Sequence, residues 1–230
     1  MQVKLFILGC PGSGKSTIAR RIVEHVNQCY KGWSATRFND YDILHKMFLD
    51  DTHKEQFRRV KHGGFYVLDR SVYNTALKEL EIAVCASFNA SIFLQNELAI
   101  IEFARSDYIE AFKQFNPEFI QDAYFLYIEV DIDTCIQRIK ERVTHQPKTA
   151  DDHYVPRKAF KFYRVDTNRE YMSSKFKIDY GISDHKVGII ENREQLPNID
   201  RWLKQFIGTI PEYELSGETI SEYPENSVAK

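Results

Sequence analysis

Gly9-Cys10-Pro11-Gly12-Ser13-Gly14-Lys15-Ser16-Thr17 decides the reading of this chain, because it satisfies the G-x-x-x-x-G-K-[ST] spacing of a phosphate-cradling loop. Before it runs Val3-Lys4-Leu5-Phe6-Ile7-Leu8, an apolar stretch with the length of a buried strand. After it, Ile18, Ile22, Val23 and Val26 recur at helical spacing. A strand that feeds a helix through a glycine-rich turn is the context the motif requires. Gly12 and Gly14 permit backbone conformations that side chains disfavour, so successive N–H groups can turn inward around phosphate oxygens. Lys15 supplies a point charge for β- and γ-phosphates, and the Ser16 hydroxyl is short enough to ligate a Mg²⁺ bridging them. The helix that follows aims its positive end at the anion. The whole of Gly9, Cys10, Pro11, Gly12, Ser13, Gly14, Lys15, Ser16 and Thr17 is therefore expected at a nucleoside triphosphate site, ATP or GTP, with Mg²⁺ as its companion ion.

Outward from the loop, apolar runs at 3–8, 33–38, 98–103, 124–130 and 187–190 read as strands, several of them apolar on both faces. Helix-like segments at 17–27, 74–88, 107–115, 133–143, 156–172 and 194–207 alternate with them. The pattern predicts an α/β fold: a doubly wound, mostly parallel five-stranded sheet with helices on both faces and a small lid. Phe57 to Asp69 carries two β-like runs around His62-Gly63-Gly64 and can close as a hairpin outside that sheet. Residues 1–210 read as one domain, with the lid at about 138–160, and 211–230 as an acidic, flexible tail.

Composition bounds the rest. A chain of 230 residues with 43% hydrophobic and 13% aromatic content can bury a sizeable core. A net charge of −2 gives no general attraction to nucleic acid or an anionic membrane, although a local basic groove stays open. Cys10, Cys29, Cys85 and Cys135 are too widely spaced for a zinc ribbon or a disulfide framework, and the histidines show no paired ligand spacing. Cys10 lies inside the loop, where the helix end and Lys15 can lower its pKa. No apolar run reaches the length of a membrane span or signal peptide, and a cytoplasmic enzyme is expected.

Three features make the chain resemble the P-loop kinases, especially nucleoside and nucleotide kinases with zeta-toxin-like and polynucleotide kinases. They are the phosphate loop, a carboxylate ending a later apolar strand, and the arginine-bearing helix after Tyr124-Phe125-Leu126-Tyr127-Ile128-Glu129-Val130. In that helix Cys135, Ile136, Ile139 and Val143 form a buried stripe, and Arg138 and Arg142 flank it together. The resemblance implies that Arg138 and Arg142 belong to a lid closing over the transferred phosphoryl group; a solvated, salt-bridged flank is the plainer alternative.

For the acid that helps hold Mg²⁺ two segments compete. Leu98-Ala99-Ile100-Ile101-Glu102, followed by Arg105, resembles the strand-end acid of zeta-toxin-like and adenylate-kinase-like proteins. Asp69-Arg70-Ser71 resembles the D/E-R-S signature of deoxynucleoside and thymidylate kinases, although a helix cap explains Asp69 as well. Glu102 is preferred because its run reads as a central strand, which leaves Asp69, Arg70 and Arg105 on the substrate side. After the second strand, Asp40 or Asp42 is expected to orient the acceptor, at the strand end where open α/β sheets form their crevice; Asp40 is preferred, with a turn or cap as its structural alternative.

These residues predict an ATP-dependent phosphotransferase acting on a hydroxyl or phosphate of a small acceptor, such as a nucleoside, nucleotide or sugar-nucleotide. The competing classes are a nucleotide-switched NTPase or binding module without an acceptor, and a polynucleotide-end kinase. The chain has no N-K-x-D guanine signature, which disfavours a GTPase-like switch.

Overall fold

Alternation along the first strand sets the layering. In the computed structural model, which describes residues 1–60, 64–90, 96–144, 153–163 and 165–192, β1 spans Gln2–Gly9. Val3, Leu5 and Ile7 point to one face, where they pack with Ile18, Ile22 and Val26 of α1 (Lys15–Cys29). Phe6 and Leu8 point to the other and meet Leu77, Leu80 and Val84 of α3 (Ser71–Ala90). Both faces of β1 are buried, which only a central strand between two helical layers achieves.

The neighbours of β1 are β5 (Asn96–Phe103) and β6 (Tyr124–Glu129), with β2 (Trp33–Asn39) outside β5 and β7 (Val187–Glu191) outside β6. All four pairings are parallel. The five strands fall where the apolar runs predict them, and the order β2-β5-β1-β6-β7 is a doubly wound sheet. Phe57 to Asp69 closes as the hairpin, with β3 (Phe57–Arg59) antiparallel to β4 (Phe65–Val67). Leu44, Phe57, Val72 and Ala76 give it a small core of its own. Among the described residues, no helix is long and apolar enough to cross a membrane.

The helical expectations need three corrections. First, α2 (Asp40–Asp50) occupies a stretch assigned to no element; Leu44 is buried, and Ile43, Met47 and Phe48 pack beside it against the hairpin. Second, 107–115 is not one helix. After α4 (Tyr108–Phe112) the Asn116-Pro117 step stops propagation, and Asn116 caps α5 (Pro117–Gln121). Third, 156–172 divides into a 3₁₀ turn at Arg157–Phe162 and α7 (Val165–Ser173), separated at Tyr163, whose backbone is extended; α8 (Lys175–Tyr180) follows. The helix at 194–207, the tail at 211–230 and the lid residues 145–152 lie outside the described residues.

Candidate active site

The carboxyl ends of β1, β2 and β5 open onto a cavity of about 690 Å³ lined by Gly12, Gly14, Lys15, Ser16, Asp40 and Glu102. The loop is held open from behind. Gly12 and Gly14 adopt φ of +85° and +99°, and a Cβ on Gly12 would sit 2.5 Å from the Cys135 carbonyl of α6 (Ile132–Thr144). The Gly9 amide donates to the Tyr108 hydroxyl at 2.7 Å, a contact the sequence does not signal. Pro11 and Thr17 face the cavity with Gly12, Gly14, Lys15 and Ser16, whereas Gly9, Cys10 and Ser13 shape the turn without lining it. Lys15 is buried, and its Nζ donates to the carbonyls of Gly9 and Cys10 at 3.1 and 2.9 Å. Burial pulls its pKa below the usual lysine value, against the opposing pull of Glu102.

Cys10 lies in the loop but is not a lowered-pKa thiol. Contact with the Cys135 thiol and burial push its pKa up, and these outweigh Lys15. At 4% exposure it behaves as a packed apolar side chain.

Glu102, next to last in β5, is the acid at the loop. Its Oε1 accepts from the Ser16 hydroxyl at 2.6 Å and its Oε2 from Arg37 Nε of β2 at 2.8 Å. Parallel pairing brings this about, because β5 brings Glu102 level with Asn39 of β2 and Ile7 of β1. Asp69 is elsewhere: it accepts from the backbone and hydroxyl of Ser71 at the start of α3, is exposed, and does not line the cavity. The capping alternative describes it.

Across the cavity Asp40 is buried and ion-paired to Arg105. Arg105 also donates to the Tyr73 carbonyl at 3.0 Å, and its guanidinium lies 4.8 Å from the Tyr73 ring centroid. Asn39 caps α2, accepting from Tyr41 N at 2.9 Å, so Asp40 is the first helical residue and faces inward. Asp42, two residues further round the helix, is exposed and off the cavity. Arg70 does line it, its guanidinium 4.1 Å from the Phe162 ring centroid. Tyr41 stacks between His153, at 3.5 Å between centroids, and Phe65 at 5.5 Å, giving this side an aromatic wall. Sequence periodicity hides that wall, because its rings come from three separate segments.

Arg138 and Arg142 line the cavity on the α6 side. Arg138 donates to the Asn192 carbonyl at 3.0 Å and Arg142 to the His153 carbonyl at 2.9 Å. Among the described residues no cluster of three His, Cys, Asp or Glu side chains could hold a metal alone. The all-oxygen pair of Ser16 and Glu102 suits a hard cation whose remaining ligands are phosphate and water.

A family model described as AAA domain matches residues 5–157. No curated protein matches the chain. The fold is similar to that of a gluconokinase from Sinorhizobium meliloti 1021, 12% identical, with a TM-score of 0.51 over 94% of this chain and 98% of that one. It is similar also to the Deinococcus radiodurans tunicamycin resistance protein, 11% identical, with a TM-score of 0.50 over 91% and 96%. Phosphate loop, sheet order and family match agree: the chain belongs to the AAA domain family.

Proposed function

We propose that the chain is an ATP-dependent phosphotransferase that moves the γ-phosphoryl group to a hydroxyl or phosphate of a small acceptor of the nucleoside, nucleotide or sugar-nucleotide class. The observation that carries this reading is one cavity with two unlike walls. On one side stand Lys15 and the Ser16–Glu102 hydrogen bond; on the other stands Asp40, fixed by Arg105. Such a carboxylate can aim a nucleophilic oxygen at the phosphate wall. A buried, oriented carboxylate facing it gives an acceptor something to bind.

Roles follow from where charge must be neutralised. The inward amides of the loop and Lys15 hold the β- and γ-phosphates. Ser16, with Glu102 directly or through water, would hold a magnesium ion, which when bound draws charge from those oxygens. Arg105 fixes the rotamer of Asp40, so its free lone pairs accept from an acceptor hydroxyl and aim that oxygen at the γ-phosphorus. As the new P–O bond forms and the β–γ bridge breaks, Arg138 and Arg142 exchange carbonyl partners for phosphoryl oxygens and offset the developing charge. Arg70 supplies a cation on the acceptor side. A lid at about 138–160 and a cytoplasmic setting belong to the same reading, the latter in keeping with four free thiols.

Transfer of label from γ-labelled ATP into a panel of nucleosides, nucleotides, sugar-nucleotides and 5′-hydroxyl oligonucleotides tests it. Label should enter one class with wild type and none with Lys15→Ala. ATP hydrolysis indifferent to every acceptor would instead make the chain a nucleotide-driven switch. Salt-sensitive labelling of the oligonucleotide would mark a polynucleotide-end kinase.

A further inference from the structure

We infer that Asn192, the residue after β7, is a positioning residue for the phosphate loop, a role that rests on the nucleotide-binding part of the proposed function. Its amide nitrogen Nδ2 donates to the Ser13 carbonyl at 2.8 Å, in a buried contact spanning 179 residues of chain. Its own backbone is fixed twice: its N–H donates to the Glu129 carbonyl at the end of β6 at 2.9 Å, and its carbonyl takes Arg138 at 3.0 Å. One residue thus ties the loop, the end of the sheet and the arginine helix together.

The loop's backbone explains why that matters. A trans peptide is planar and its C=O and N–H point in opposite directions. Holding the Ser13 carbonyl against Asn192 therefore turns the Gly14 N–H the other way. The Gly14 conformation is available to glycine, with φ of +99°, and a Cβ there would come within 2.8 Å of Asn192 Nδ2. The side chain occupies the space the glycine leaves free. The amide orientation is not arbitrary: exchanging O and N in Asn192 would set two carbonyl oxygens against each other. The Oδ1 atom meets no partner among the described residues and is buried. Retaining an amide there despite an unpaired acceptor fits a group kept for what its nitrogen holds.

Asn192→Asp is the decisive variant, since it keeps the shape and replaces the donor with an acceptor. Calorimetry should give MgATP affinity about ten- to a hundredfold weaker than wild type at pH 8, the scale of one misdirected hydrogen bond to a charged group. The apo melting temperature separates this from unfolding. The pH profile separates it from loose packing: lowering the pH protonates the introduced carboxyl, which then donates to Ser13, so the gap to wild type narrows towards pH 5. Asn192→Ala should lose less, because water can take the Ser13 carbonyl, and should show no such narrowing. Wild-type-like affinity in a folded Asn192→Asp protein would overturn the inference, as would an affinity gap independent of pH. No MgATP binding by folded wild type would instead overturn the proposed function itself.

Discussion

The two walls of the cavity are assembled in different ways. Apart from Glu102, the phosphate wall comes from one unbroken stretch, Gly9 to Thr17, whose glycines answer to backbone geometry. The acceptor wall is gathered from Asp40, Arg70, Arg105 and His153, which meet only because the ends of β2 and β5, the start of α3 and the segment before the 3₁₀ turn converge. Nearest neighbours set the first, and sheet register sets the second. The lesson is that the logic of a site, anion against amides and carboxylate against guanidinium, can be equally strict on both sides while only one side is written locally.

The contrast predicts unequal responses to substitution. Removing Lys15 should do most, because nothing else buried in the loop carries its charge. Lys15→Ala should lower phosphoryl transfer by at least about 10²–10³-fold, the range for loss of one transition-state donor, with the fold intact by circular dichroism. A loss under tenfold would mean the phosphate wall works by amides alone.

On the acceptor wall the largest effect should fall on stability. Arg105→Ala leaves Asp40 buried without its partner and should cost about 3–5 kcal/mol by denaturant titration. The double variant Arg105→Ala with Asp40→Asn should recover a large part of that loss. Additive losses would show that the two residues stabilise independently.

Arg138→Ala tests whether α6 serves chemistry or binding. Turnover should fall about a hundredfold while the Michaelis constant for ATP stays within about threefold. Equal losses in both would assign Arg138 to ground-state binding. A smaller effect concerns Lys15 and pH. Its pKa is lowered in the empty protein, and an entering polyphosphate favours the charged ammonium. Protons are therefore taken up on binding, and MgATP affinity should decline as pH rises through the lowered value, before the ordinary 10.5 is reached. A profile flat to pH 10 would contradict the depressed value. At the bottom of the scale, Asp42→Asn and Asp69→Asn lie off the cavity and should leave turnover within about twofold, as surface changes usually do.

Much of the fold is legible without coordinates because β1, β5 and β6 are buried on both faces and announce themselves as apolar runs. The phosphate loop is legible for the same local reason. What stays hidden has non-local causes. α2 is capped by Asn39 and packs through Leu44, Ile43, Met47 and Phe48 against the hairpin and α3, partners that lie far along the chain. The choice between Glu102 and Asp69 turns on strand register, which composition does not reveal. Glu102 comes level with Ile7 in the ladder, next to the loop, whereas Asp69 folds back on Ser71. Tyr108 and Asn192 touch the loop from 99 and 179 residues away, through polar atoms that carry no periodic signal.

The central claim is that the loop between β1 and α1 cradles a magnesium triphosphate. Calorimetric titration of MgATP into folded wild type, with Lys15→Ala alongside, tests it most directly. The account predicts one site per chain in wild type and an affinity at least about tenfold lower without the lysine, the loss of a charged hydrogen bond. Folded wild type that takes up no MgATP, or a variant that takes it up equally well, would contradict it.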